Sequence, residues 1–168
     1  MSQISLEESK KKKQIPRKIG FAYDNFMLLH ENHKRYHPER PSRLMSIYSY
    51  LEDSETNMLK KCMMLRCPFS KVKHIERVHS KEMIANVELS RYQKHKLRDE
   101  GVKELKEHGK DTNYLDYDVY ANRYTYEAAL MAAGACIEAC KAIFKREDID
   151  SAYAAVRPPG HHADECTA

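Results

Sequence analysis

Apolar residues along this chain fall into short unbroken runs and longer stretches spaced at three to four residues, the two patterns that separate strands from helices. Ile19-Gly20-Phe21-Ala22-Tyr23, closed by Asp24-Asn25, predicts a buried first strand ended by turn-forming residues. His37-Pro38-Glu39-Arg40-Pro41 predicts a rigid extended segment, because each proline pushes its predecessor away from helical geometry. Ser42 is then placed to cap a helix that carries Leu44, Ile47, Tyr48 and Leu51 on one face. Met63 to Phe69 is a second strand candidate, ended by Pro68. Ser70 opens a helical pattern through Val72, Ile75 and Val78, and Ser80 caps another through Met83, Ile84, Val87 and Leu89. From Ser90 to Lys110 the chain is charged and poorly periodic, consistent with a helix extension or an exposed loop.

The strongest helical pattern runs from Thr125 to Arg146, and its many alanines imply close packing against a sheet or another helix. Cys136 and Cys140 stand one turn apart on it; they read as buried thiols serving as small hydrophobes rather than as metal ligands. Ala152-Tyr153-Ala154-Ala155-Val156 lacks polar alternation, which predicts a strand covered on both faces of a parallel sheet. Strand, helices, strand, helices, strand is the α/β order.

Composition narrows the picture. Of 168 residues 42% are hydrophobic and 32% charged, so the chain can bury a core and is not of the disordered class. The formal net charge is +4, and Lys10 to Lys13 with Arg17 and Lys18 exceed that surplus by themselves. The body is therefore near neutral and offers no direct nucleic-acid partner. Residues 1–18 read as a basic flexible tail, either an import signal or simply solvated. The apolar stretch around Ala128 to Ile137 is short of the ~20 residues of a span, so no membrane partner is expected. No apolar segment follows the N-terminal charges, which argues against a secretory signal. The 5 cysteines lack C-x-x-C spacing and suit reduced thiols in nucleus or cytoplasm.

Candidate chemistry concentrates after the third strand, at Arg157-Pro158-Pro159-Gly160-His161-His162. In open α/β sheets the carboxyl ends of the strands form the ligand crevice. Two prolines stiffen the loop, and Gly160 permits a backbone conformation that other residues avoid. Adjacent imidazoles suit paired acid/base work: each titrates near neutrality, and each repels the other's second proton. His30, His33 and His37 have a ligand-like spacing, but a polar loop is the favoured reading of them.

Arg157 to Ala163 resembles the signature of the zinc-dependent histone deacetylase family, closest to its class II members. The likeness extends to Gly20-Phe21-Ala22-Tyr23-Asp24 as a first strand, to His37-Pro38-Glu39-Arg40-Pro41-Ser42-Arg43-Leu44, and to Tyr126-Glu127-Ala128-Ala129-Leu130 with Ala132-Ala133-Gly134. It implies an arginase/deacetylase-like fold, a parallel sheet flanked by helices, with residues 19–168 as the N-terminal part of the domain, truncated after the His-His signature.

The implied reaction is hydrolysis of an acetyl-lysine amide, with metal-activated water and a His-His acid/base pair. His162 would be the principal base and acid, and His161 its companion. Asp118 and Gly160 would be substrate-binding positions, and Arg43 an arginine near the inner end of the channel. Asp118 also reads as a solvated loop residue, and Arg43 as a structural ion-pair partner. Zinc is the family's cofactor, held by a D-x-H motif and a later aspartate. No Asp in this chain is followed two positions later by His, so the ligands are not expected here and this chain alone is expected to be inactive. The implied partner is an acetylated protein, histone or tubulin-like, in nucleus and/or cytoplasm. A non-catalytic interaction or regulatory module is the alternative, and an open sheet edge would favour self-association.

Overall fold

The computed structural model describes residues 17–32, 36–92, 112–116 and 119–167. Three parallel strands, β1 (Lys18–Ala22), β2 (Cys62–Leu65) and β5 (Ile149–Ala154), form a sheet in the order β2-β1-β5. The helix α1 (Pro41–Glu52) connects β1 to β2. Between β2 and β5 lie α2 (Val72–Ile75), α3 (Lys81–Leu89), an antiparallel pair β3 (Thr112–Asp116) and β4 (Val119–Asn122), and α4 (Thr125–Lys145). Because the three sheet strands run parallel, their carboxyl ends share one edge.

The α/β order is as expected, and several boundaries differ for local reasons. The residue capping α1 is Arg40, without a side-chain bond, and Pro41 occupies the first helical position. Proline is pre-organised there because its fixed φ suits the helix and its missing N–H would be unpaired anyway. Ser42 therefore lies inside the helix and does not cap it. Leu44 is buried and Tyr48 and Leu51 pack on the core, but Ile47 faces outward. The second strand stops at Leu65, short of Pro68. α2 is a single turn capped by Lys71, and Val78 lies beyond it, exposed. The Ser80 cap is found: its hydroxyl accepts from the Met83 amide at 3.1 Å.

α4 packs across β5 and β1 on a stripe of small residues, Ala128, Ala132, Ala135, Ala139 and Ala142, at alternating spacings of four and three. Cys136 and Cys140 fall one position after members of that stripe and are exposed, not buried as expected. Gly134 marks a close approach of α4 to the segment after β2. A Cβ there would lie 1.7 Å from the Pro68 carbonyl oxygen, and the Ser70 amide donates to Leu130 O at 2.8 Å beside it. The core gathers Phe21, Met27, Leu44, Met131, Ala132 and Ala155.

Phe21 is the register partner of both Met64 and Tyr153, so the three side chains share a sheet face. Phe21 and Tyr153 stack with centroids 6.0 Å apart, yet Tyr153 is 54% exposed. The expectation of a strand covered on both faces is thus corrected: the outer part of this row faces solvent. β5 has β1 on one side, and no described strand pairs with its other edge.

Candidate active site

β5 delivers the chain to the carboxyl edge of the sheet, where the Ala155 amide still donates to Ala22 O at 2.9 Å. The peptide between Arg157 and Pro158 is cis. The Arg157 side chain folds back under the edge and is 2% exposed. Its guanidinium forks onto Glu39, donating from Nε to Oε1 at 3.0 Å and from an Nη to Oε2 at 2.8 Å. It also donates to Met27 O at 3.2 Å, to His30 O, and to the Tyr120 hydroxyl at 3.0 Å. That hydroxyl donates in turn to Glu39, whose Oε2 lies 2.8 Å away. A planar fork of donors met by a carboxylate and carbonyls is how a buried guanidinium is satisfied.

His30 stands beside this pair, 3% exposed, its ring stacked on Tyr120 at 4.5 Å. Its Nδ1 shares a hydrogen bond of 2.8 Å with Thr125 Oγ1, and its Nε2 faces Glu39 Oε2 at 3.7 Å. Asn122 ties the same region to the start of α4. Its Nδ2 donates to Leu29 O and Glu31 O, and its Oδ1 accepts from the Tyr124 amide and the Thr125 hydroxyl.

These contacts set the charge states. Burial alone would raise the Glu39 carboxyl, but the bonds and charge of Arg157, with the Tyr120 hydroxyl, outweigh it and hold Glu39 below its ordinary value. Burial, and then the positive charge of Arg157, push His30 down to about 3, so the imidazole is neutral. Burial and the neighbouring carboxylate push the Tyr120 phenol up.

Beyond Pro158 and Pro159 the chain makes a turn in which the Ala163 amide donates to Gly160 O at 3.1 Å. His161 and His162 occupy its tip, exposed to solvent, with ring centroids 4.1 Å apart and planes inclined at 51°. Past the turn, the Ser80 amide donates to Glu165 O at 2.7 Å, and His79 Nδ1 donates to Asp164 O at 2.6 Å. Asp164 accepts from the Cys166 and Thr167 amides, which lower its carboxyl. The imidazole pair is therefore held between a buried anchor at Arg157 and a clasp on the start of α3. Two adjacent imidazoles open to water can pass a proton to and from a bound reactant.

Gly160 does not have the expected special conformation: its φ lies outside the left-handed region and a Cβ would meet open space. Its role in the turn is met by its carbonyl. Arg43 is 61% exposed and reaches Glu39 Oε1 at 3.8 Å, one turn along the chain. Asp118 lies outside the described residues, as do His33 and residues 1–16; β3 ends two positions before it and β4 begins at the next residue. His30 and His37 both flank Tyr120. Among the described residues no three His, Cys, Asp or Glu side chains are grouped so as to hold a metal ion.

The sequence reading did not single out Glu39 or Tyr120, met His30 only as one of three histidines at ligand-like spacing, and named Arg157 without a role. A usable signal existed. Glu39 sits between two prolines and Arg157 opens the prolines before the imidazoles, so both charges are fixed on stiff backbone.

The histone deacetylase domain family matches residues 37–168. Histone deacetylase 5 of Arabidopsis thaliana is 31% identical over 150 residues, which are 88% of this chain and 21% of that protein. Histone deacetylase 9 of Homo sapiens is 32% identical over 159 residues, 89% of this chain and 15% of its own length. The crystal structure of the HDA15 HD domain superposes with a TM-score of 0.75 at 28% identity, covering 90% of this chain and 39% of that one. The chain thus spans about a fifth of the length of the curated relatives it matches.

Proposed function

Since this chain belongs to the histone deacetylase family, we propose that it takes part in hydrolysis of the acetyl-lysine amide, with His161 and His162 as the acid/base pair. The observation that supports this most is the pair itself: two exposed rings 4.1 Å apart, on a braced turn at the carboxyl edge of a parallel sheet. In this reading His162 takes the proton of the attacking water and returns it to the leaving lysine amine, while His161 orients the water and offsets developing charge. Gly160 and Asp118 would hold the substrate backbone near the turn, and Arg43 would line the inner channel.

The family's zinc does not fit the residues at hand. The chain has no D-x-H motif, and the described residues offer no ligand group, so no step of this reading runs through a metal held by these residues. The second reading is a non-catalytic interaction or regulatory module. Metal analysis of the purified 168-residue chain discriminates the two: stoichiometric tight zinc would contradict our view of the ligands. We expect that chain, taken by itself, not to turn over acetyl-lysine peptides. The substrate class we assign is an acetylated protein, histone or tubulin-like, in nucleus and/or cytoplasm.

The decisive experiment replaces His162 with Ala in a completed deacetylase domain that includes this chain and follows an acetyl-lysine peptide. A proton-transfer role predicts that kcat falls by roughly 10²–10⁴ with a much smaller change in KM. Unchanged turnover would remove His162 from the mechanism.

A further inference from the structure

We infer that Glu39 is a positioning residue for the His161–His162 pair, acting through Arg157; its kinetic consequence rests on the acid/base reading above, its geometric one does not. Glu39 is 118 positions from Arg157, yet both of its carboxylate oxygens receive a guanidinium nitrogen. The carboxylate is itself fixed. The Tyr120 hydroxyl donates to it, and the Glu39 amide donates to His37 Nδ1 at 3.1 Å.

Neutralising a buried guanidinium needs only one carboxylate nearby, whereas this site specifies direction. Two parallel bonds to Glu39, one contact with the Tyr120 hydroxyl and two with the carbonyls of Met27 and His30 define how the guanidinium lies. With its side chain so held, the Arg157 backbone cannot rotate or slide along the sheet edge. Only three residues separate Arg157 from His161, and two of them are prolines whose rings restrict the backbone. A displacement of the guanidinium is therefore passed to the imidazoles with little slack. The downstream clasp on Ser80 and His79 closes the other end of the turn.

The test compares Glu39→Gln, Glu39→Asp and Tyr120→Phe, using two readouts, the first on the 168-residue chain and the second in a completed deacetylase domain that includes it. The first is the nuclear Overhauser contact between the His161 and His162 rings in the folded state, which needs no activity. The second is the separation of kcat from KM on an acetyl-lysine peptide. Glu39→Gln removes the charge and one strong acceptor; the inter-ring contact should weaken several-fold, and kcat should fall by about 10- to 100-fold with KM nearly unchanged. Glu39→Asp should recover part of both. Tyr120→Phe keeps the ion pair and removes only the bridging hydroxyl, so it should give a smaller change in the same direction.

A folded Glu39→Gln protein with an unaltered inter-ring contact and unaltered kcat would overturn the inference. Should Glu39→Gln fail to fold, Tyr120→Phe decides: an unchanged contact in that variant sinks the idea equally. The two readings fail separately. If His162→Ala turns over normally the acid/base assignment falls, while a lost ring contact in Glu39→Gln still supports positioning.

Discussion

Arg157 and His162 stand five positions apart on one loop and occupy opposite environments. The arginine is dry, forked onto a carboxylate and surrounded by acceptors, whereas the histidine is open to water beside a second imidazole. The contrast separates a packed end that bears on stability from an open end to which we assign the proposed chemistry. An exposed pair of imidazoles has no packing of its own to set its geometry, so the buried end supplies it. Changes at the two ends should accordingly differ: damage at His162 should read out in turnover alone, damage at Arg157 in unfolding and, through the geometry of the pair, in turnover as well.

The largest expected effect breaks the buried end. Arg157→Ala leaves Glu39 without its main counter-charge and two backbone carbonyls without a donor, and removing one partner of a buried ion pair costs about 3–5 kcal/mol. Denaturant unfolding of the variant should show that loss. A change below about 1 kcal/mol would mean that water replaces the guanidinium freely and that the site is not as dry as its exposure indicates.

Acid should probe the same end next. His30 is held down to about 3 in the folded protein, below the ordinary imidazole range near 6.5. A depressed folded value means that the stabilisation is complete above the unfolded value and is lost as pH falls. Between about pH 6.5 and 3 the unfolded chain binds a proton that the folded one refuses, at up to about 1.4 kcal/mol per pH unit. Glu39, also held low, adds its own loss once pH drops below the carboxylate range. His30→Gln should flatten the upper part of this acid limb and leave the lower part. An unchanged slope between pH 6 and 4.5 would show that His30 is not the group responsible.

A third prediction moves to the sheet's covering helix. Gly134→Ala places a methyl group against the Pro68 carbonyl, so either α4 or the 68–70 segment must shift, at about 1–3 kcal/mol. Thermal unfolding should register it. A neutral substitution would mean that the close approach is relieved by a backbone movement with little cost.

The smallest effects belong to the exposed groups. Arg43→Ala removes one long, solvent-exposed ion pair and should change stability by less than about 0.5 kcal/mol. His162→Ala should be equally mild in unfolding while lowering turnover. A large stability loss at His162 would erase the contrast between the two ends of the loop.

Local chemistry made much of the frame readable in the residues. The run Ile19 to Tyr23, the small-residue helix from Thr125, the Ser80 cap and the His161–His162 pair behind a third strand all depend on neighbours within a few positions. Their periodicity or spacing carries the signal, and each is found where expected. Misreadings arose where a local cue had a local rival, as when Pro41 took the helix start from Ser42.

The anchor needed the folded chain. Glu39 meets Arg157 across 118 positions, Tyr120 across 81, and His30 meets Thr125 across 95. No period or motif length links such partners, and a charged side chain read in sequence is expected at the surface. Burial of Arg157 becomes favourable only once the sheet edge, the 3₁₀ segment Asn25–Leu29, the 37–41 segment and β4 converge to supply its acceptors. The imidazole pair was legible as candidate chemistry because type and adjacency suffice to see it; what braces the turn that carries it is a property of long-range packing.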